Sequence, residues 1–253
     1  MWRTFFLAAL ATAAMAQSPI VLLDGWHNNE ERPHYRWDGK YMGGFSELDK
    51  LLAELGADRR TATGPLTAAV LAPARCLIIV DPDTPQETKT PNYIQPAEID
   101  AIGNWVKQGG RLILLGNDPG NAEFHHFNRL AQQFGIRFRE SKHADEQGRT
   151  KLTLHVPTNQ NILTGGGAFY AVDVAPLEIT AQSAQILVAE RETPIMALVR
   201  YGKGEVVALG DPWIYDEYIN TRDNRKLAAS LFRYLLHTTL AANRLFPNPA
   251  WRQ

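Results

Sequence analysis

The chain has 253 residues, of which 45% are hydrophobic and 21% charged, and its 26 basic and 27 acidic side chains leave a formal net charge of −1. A core of useful size is within reach of such a composition. The balanced charge, with no basic stripe, excludes a general electrostatic attraction to nucleic acid or to an anionic membrane surface.

The N-terminus, "MWRTFFLAALATAAMAQS", carries Arg3, an apolar run from Phe5 to Ala14 and an Ala-Met-Ala ending at Ala16. This is the layout of a cleavable secretory signal, and the run is too short to cross a bilayer comfortably. Export to a periplasm or out of the cell is therefore expected, with no membrane span after cleavage; an uncleaved N-terminal anchor is the alternative. The expected organisation is a signal over 1–16, one α/β domain over 17–243 and a loosely ordered tail over 244–253. Cys76 is the only cysteine, so an internal disulfide is impossible, and its place at the head of "CLIIV" suits a small buried group.

In chain order, the first predicted strand is "IVLL" (20–23). Ser46 with Asp49 then reads as a capping box opening a helix through Leu55, closed by Gly56. A second strand, "CLIIV" (76–80), precedes a helix with Pro96 in its first turn, running through Ile99, Ile102, Trp105 and Val106 to Gly109 and Gly110. "RLILL" (111–115) is the third strand. The spacing of Phe124, Phe127, Leu130, Ala131 and Phe134 predicts a helix over 122–134, ended by Gly135. Beyond the charged loop "ESKHADEQGR" come "KLTLHV", the glycine run "TGGGAF", "AQILVAE" and "PIMALVR", read as an antiparallel extension. A hairpin at "YGKG" leads into the fourth core strand, "EVVAL" (205–209), and a helix over about 222–241 covers the sheet with Leu227, Leu231, Leu235 and Thr238. Strands alternating with helices predict an open, mostly parallel α/β sheet with right-handed crossovers.

Each of the four core strands runs at its C-terminal end into Asp, Asn, His or aromatic residues: "DGWHNNEERPHYRWD", "DPDTPQETKTPNY", "GNDPGNAEFHHFN" and "GDPWIYDEYIN". For any one loop, tight-turn chemistry explains these residues. Four loops at the carboxyl edge of one parallel sheet predict a shared site. Asp24, Glu30, Asp118 and Asp211, with His125 in support, are candidate acid/base groups, the four acids drawn from a larger pool of carboxylates among which spacing alone selects no pair. Trp26, His27, Asn28, Trp37, Asp81, Asp83, Tyr93, Asn117, Asn121, Glu123, Trp213 and Glu217 are candidate substrate-binding residues. Aromatic faces beside amides and carboxylates suit sugar rings. The Asn117–Asp118 corner holds no Ser or Cys, which argues against an acyl-enzyme. No cofactor is expected. A divalent metal is possible from the Asp, Asn and His content, but "HNNE" and "EFHH" lack the helical i, i+4 histidine pair and "DPDTP" lacks the rest of a calcium loop, so no ligand is assigned.

Three stretches, "HYRWDGKYMGGFSEL", "IIVDPDTPQETKTPNYIQPAEIDAIGNWVKQGGRLILLGNDPGNAEFHHFNRLAQQFGI" and "YGKGEVVALGDPWIYDEYI", resemble the C-terminal module attached to some bacterial unsaturated rhamnogalacturonyl hydrolases, which act in pectin breakdown. The resemblance runs from about Pro19 to Leu236. It implies a class I glutamine amidotransferase-like fold, a flavodoxin-like three-layer sandwich. The amidotransferases' catalytic Cys is replaced by the Asn117–Asp118 region, so glutamine hydrolysis should be absent, and the helical-barrel catalytic domain of the rhamnogalacturonyl hydrolases has no counterpart. The expected function is that of an exported carbohydrate-active protein, a hydrolase of rhamnogalacturonan-derived oligosaccharides using strand-end carboxylates. The alternatives are a non-catalytic sugar-binding or accessory module and an envelope scaffold domain.

Overall fold

The computed structural model describes residues 18–30, 34–40 and 43–238; the signal and tail expected at the two ends lie outside the described residues. In chain order the elements are β1 (Ile20–Asp24), α1 (Ser46–Glu54), β2 (Asp58–Ala62), α2 (Ala68–Leu71), β3 (Cys76–Val80), α3 (Pro96–Lys107), β4 (Arg111–Leu115), α4 (Phe124–Gln132) and β5 (Ile136–Phe138). There follow β6 (Lys151–Val156), β7 (Gly167–Val172), β8 (Leu177–Ile179), β9 (Ala184–Glu190), β10 (Thr193–Tyr201), β11 (Gly204–Leu209) and α5 (Asn224–His237). Seven strands form the main sheet in the order β2-β1-β3-β4-β11-β10-β9. Its first five strands are parallel, and β10 and β9 extend it antiparallel.

Apart from Arg111 and Glu205, which pair with each other at 2.5 Å where their strands begin, the four predicted core strands have no polar position to turn towards water. Each must therefore be covered on both faces. Their alternate residues divide into two layers. Val21, Leu23, Ile78, Val80, Ile113, Leu115, Val207 and Leu209 pack with α1 and α5. Leu22, Leu77, Ile79, Leu112, Leu114, Val206 and Ala208 pack with α2, α3 and α4. The result is the expected three-layer α/β sandwich with a mostly parallel sheet.

Several local expectations need correction. β2 is absent from the sequence reading because "DRRTA" has one buried residue, Ala62; it is an edge strand held by its pairing to β1. "KLTLHV" does not join the main sheet but pairs with the unforeseen β7, which begins in the glycine run. Helix α4 is shorter than 122–134, because the Glu123 carboxylate caps it by accepting the His126 N–H at 3.0 Å. Helix α5 spans 224–237 rather than 222–241, with Thr238 already extended. The Ser46–Asp49 capping box does not form. Ser46 is the first helical residue, its hydroxyl donating to Asp216 Oδ2 at 2.7 Å while the Glu47 N–H donates to Asp216 Oδ1 at 2.9 Å. A carboxylate from the loop after β11 thus caps α1, a contact no local pattern encodes.

Among the described residues no helix is long and apolar enough to cross a membrane. At the end of β11 the chain passes close under another segment: the Ala175 N–H donates to the Gly210 carbonyl at 2.9 Å, and a Cβ on residue 210 would meet the Ala175 carbonyl oxygen. Only glycine fits there. Gly210→Ala is predicted to lower the unfolding free energy by at least ~1–3 kcal/mol, read as a lower urea midpoint at unchanged m-value.

Candidate functional site

Chain direction decides where the site lies. β1 is followed by β2 on one side, and β3 returns to pair on the other side of β1. The carboxyl ends of β1 and β3 therefore flank the switch point of the sheet, the crevice where open α/β sheets bind ligands. Three hydrogen bonds lace the two loops together. Asn28 Nδ2 donates to the Asp81 carbonyl at 2.8 Å, the Asn29 N–H donates to Asp83 Oδ2 at 2.6 Å, and the Asp83 N–H donates to the His27 carbonyl at 2.9 Å.

Beside them Glu30 Oε1 lies 2.5 Å from His34 Nδ1, and this bond raises the His34 pKa. Burial pushes the Asp83 carboxyl up to about 7, against the pull of the Asn29 N–H and with the help of the Glu30 and Glu87 charges. Glu87 is also raised by burial, while its Oε2 accepts from the Thr84 N–H and hydroxyl at 2.8 and 2.9 Å. Between the β1 and β2 ends opens a cleft of about 500 Å³, whose lining includes Asn28, Asn29, Glu30, Trp37, Thr61 and Thr63. The Trp37 indole is fixed by its N–H, which donates to the Arg60 carbonyl at 3.1 Å.

Asp81, directly after β3, has φ = +45°, a left-handed conformation that Asp tolerates better than most residues. Its Oδ2 accepts from the Tyr35 hydroxyl and from Asn117 Nδ2, both at 2.9 Å, and its Oδ1 is buried without a partner. Burial drives its carboxyl well above the ordinary range. Among the four core strands it is thus the end of β3, at Asp81, that carries left-handed backbone, not the Asn117–Asp118 corner.

The structure does not gather the five candidate acid/base groups into one site. Asp24 and His27 are 2% and 1% exposed and turn towards α3: Asp24 Oδ2 lies 2.7 Å from His27 Nδ1, and His27 Nε2 lies 3.4 Å from Glu98 Oε1. Burial alone would lower the His27 pKa, but the two carboxylates outweigh it and raise it to about 10. Asp118 closes its own turn through Asn121 Nδ2 at 2.7 Å and pairs with Lys142 Nζ at 2.7 Å. Asp211 is buried, its Oδ2 accepting the Val172 N–H at 2.6 Å, and burial pushes its carboxyl up to about 8. These last two hold a roof over the β4–β11 half of the edge. Lys142 also reaches Asp173 at 3.2 Å, and the His143 N–H donates to the Val174 carbonyl at 2.8 Å.

Of the binding candidates, Trp213 is 1% exposed and packs against Phe169 at 5.0 Å, so it presents no ring to a ligand, which corrects that expectation. Glu217 accepts the Gly43 N–H at 3.0 Å. Asn117, besides binding Asp81, accepts the Asp118 N–H at 2.9 Å. Tyr93 stacks on His126 at 4.6 Å, and the exposed His125 meets only the edge of that stack. Glu30, Asn28 and Trp37 remain at the cleft, with Asp83 behind them. Sequence reasoning missed His34, Tyr35, Thr61, Thr63 and Glu87. The Glu30–His34 spacing was the one available signal, whereas the rest depend on strand order. Among the described residues no group of three or more His, Cys, Asp or Glu side chains is arranged to hold a metal ion.

The family described as "Domain of unknown function (DUF4350)" matches residues 41–232, and the chain belongs to it. No curated protein matches. The mmIFT52 N-terminal domain superposes with a TM-score of 0.68 at 16% identity, over 88% of this chain and all of that domain. A GMP synthase-like protein from Thermoplasma acidophilum gives 0.52 at 11% identity, over 88% of this chain and 94% of its own. A β-galactosidase from Bacillus circulans sp. alkalophilus gives 0.51 at 12% identity, over 86% of this chain but only 30% of the enzyme. At these identities the likeness is one of fold.

The His27 cluster makes a pH-dependent contribution to stability. His27 gains carboxylate partners on folding, so its stabilisation is complete below its ordinary pKa of 6.5 and is lost as pH rises through about 10. His27→Gln, which leaves Asp24 and Glu98 without their cation, is expected to destabilise by about 3–5 kcal/mol near pH 6, with the difference from wild type shrinking towards pH 10 in urea titrations.

Proposed function

We propose that this DUF4350 chain is an exported carbohydrate-active protein that holds a pectin-derived oligosaccharide, of the rhamnogalacturonan type, in the cleft between the ends of β1 and β2. The observation that carries the reading is the make-up of the cleft wall. A partly exposed indole fixed by its own hydrogen bond, Trp37, shares the cleft with the hydroxyls of Thr61 and Thr63, the amides of Asn28 and Asn29 and the carboxylate of Glu30. An apolar ring face beside hydrogen-bonding groups is what a sugar ring needs, since its C–H faces stack and its hydroxyls both donate and accept. The cleft also lies next to the switch point of the sheet. The sugar class rests on the motif resemblance, and export on the N-terminal "MWRTFFLAALATAAMA".

Hydrolysis is a second reading, favoured by Asp83. A carboxyl that keeps its proton up to about pH 7 has the property of a general acid, and it is one hydrogen bond from the backbone that carries Glu30. The mature chain from Gln17, mixed with saturated and unsaturated rhamnogalacturonan oligosaccharides, separates the readings by calorimetry and mass spectrometry. Saturable heat, weakened about tenfold by Trp37→Ala, is the expected result. Product masses that vanish in both Glu30→Gln and Asp83→Asn would establish the hydrolase; heat without product would establish a binding module. Absence of both signals would overturn the carbohydrate assignment.

A further inference from the structure

A second concavity opens on the other face of the sheet, in the layer of α2 and α3. It measures about 680 Å³, and its lining includes Trp26, Pro91, Tyr93, Ala97 and Ala101. Its aromatic surfaces are held from behind. The Trp26 carbonyl accepts Asn92 Nδ2 at 2.9 Å, the Tyr93 carbonyl accepts Gln95 Nε2 at 2.8 Å, and the Tyr93 ring is backed by His126 in a near-parallel stack at 16°. Surfaces fixed in this way lose little freedom when something covers them.

The chemistry of this groove is narrow. Among the described residues its lining holds no lysine or arginine, and its one acidic side chain, Glu98, already accepts the Leu66 N–H at 2.7 Å and the Gln95 N–H at 2.9 Å. A charged partner gains nothing here. What the groove does offer is donors beside apolar faces, because the Trp26 indole N–H and the Tyr93 hydroxyl have no partner among the described residues. A fitting occupant is uncharged, apolar in its side chains, rich in carbonyl acceptors and poor in N–H donors. Proline-containing chain meets that description, since proline has a carbonyl and no N–H, and its extended course leaves the carbonyls open.

This chain contains such a segment. Residues 246–251 read "FPNPAW", uncharged, with two prolines between two aromatic residues. Phe246 and Asn248 each precede a proline, which biases both towards extended backbone. The segment lies outside the described residues, but the point from which the chain sets out towards it is fixed. Thr238 follows α5, and its carbonyl accepts Arg75 Nη2 at 2.9 Å and Arg111 Nη2 at 3.2 Å. The same Arg75 guanidinium reaches the Gly109 carbonyl through Nη1 at 3.5 Å, which puts Thr238 beside the C-terminal end of α3. The groove lies at the other end of that helix. The 12 residues of α3 make a rod about 18 Å long, and the eight residues from Thr238 to Phe246 can stretch to about 26–29 Å. Ala97, Ala101 and the half-buried Trp105 follow one another at i, i+4 spacing, so one row of α3 leads from the groove towards Thr238.

We propose that the groove between Trp26 and Tyr93 is the docking site of this chain's own segment 246–251, which reaches it along α3. The indole N–H and the phenol hydroxyl supply the donors that the proline-flanked carbonyls lack, and the ring faces and alanines cover the apolar side chains. The inference is independent of what the cleft at Trp37 binds. A free proline-rich partner, or the same segment of a second copy, would reach the groove without this tether.

Photo-crosslinking tests the contact, using the mature chain from Gln17 with a benzophenone amino acid in place of Phe246. The expected product is a cross-link within one chain, mapped by mass spectrometry to Trp26 or to residues 91–101. Trp26→Ala and Tyr93→Ala should each weaken docking about tenfold, read as loss of that product. Ala97→Glu should do the same by crowding the groove from an exposed position in the first turn of α3, where a carboxylate suits the helix and the fold is preserved. Cross-links that map elsewhere, or an undiminished yield in all three variants, overturn the proposal. A covalent dimer linked at the groove also overturns it, by giving the groove to a second copy. Saccharide calorimetry on the same protein keeps the two readings apart, since loss of the carbohydrate assignment leaves the cross-link unchanged.

Discussion

One buried carboxylate organises the carboxyl edge of the sheet, on which the proposed cleft depends. Asp81 ends β3 in a left-handed conformation, receives Tyr35 from the loop after β1 and Asn117 from the loop after β4, and offers its own carbonyl to Asn28. Three loops from three neighbouring strands are therefore fixed through one residue. Left-handed backbone at a non-glycine position stores strain that its surroundings must outweigh. Here they do so with two donors on one oxygen and the dense apolar layer around Tyr35 and Phe45, whose rings lie 5.4 Å apart. The strain places the Asp81 carboxyl under the loop that shapes the cleft, and the cleft inherits its form from that contact.

The same edge shows why a concentration of acidic residues is not yet a catalytic site. A parallel sheet sends all its strands' C-terminal ends one way, so the loops that must turn there expose unpaired backbone N–H groups at one place. Carboxylates are strong acceptors for such donors. Asp24 takes the Trp26 and His27 N–H groups, Asp83 takes that of Asn29, Asp211 that of Val172 and Asp216 that of Glu47. These bonds close a turn, cap a helix or tie one loop to another. What distinguishes Glu30 is that its charge meets a side chain, His34, inside an open cleft rather than a backbone group inside a closed turn.

The fold was legible because its signal is local and redundant. Four apolar runs with helical spacing between them leave few arrangements, and the glycines at 56 and 135, both at positive φ, mark the helix ends. β2 was not legible, since an edge strand of Asp, Arg and Thr carries no periodic apolar signal. The site was legible only as far as strand ends. Asn28, Glu30 and Trp37 were found because they follow β1. Thr61 and Thr63 were missed because β2 was missed, and Tyr35 because nothing in "PHYRW" announces a bond to a residue 46 positions away. Trp213 was misread for the opposite reason. An aromatic residue just past a strand end can project into solvent or turn back into the core, and packing with Phe169 on β7, itself unforeseen, decided it.

The location of the open cleft follows from which half of the edge the chain covers. Above β4 and β11 the chain returns twice, at 142–143 and at 172–175. The roof is tied by Lys142 to Asp118 and Asp173, by the Val172 N–H to Asp211 and by the Ala175 N–H to Gly210. Those bonds engage the carboxylate of Asp118 and one oxygen of Asp211, two groups that the sequence had offered as acid/base groups. Above β1 and β2 the excursion over 34–40 instead folds back on itself, Tyr35 N–H to Gly43 and Gly39 N–H to Arg36, leaving Thr61 and Thr63 uncovered. One half of the edge thus spends acidic residues on covering itself, and the other leaves the threonines exposed and Trp37 partly so, with Glu30 paired to His34 in the cleft wall. A ligand can enter only where the chain has not already covered the edge.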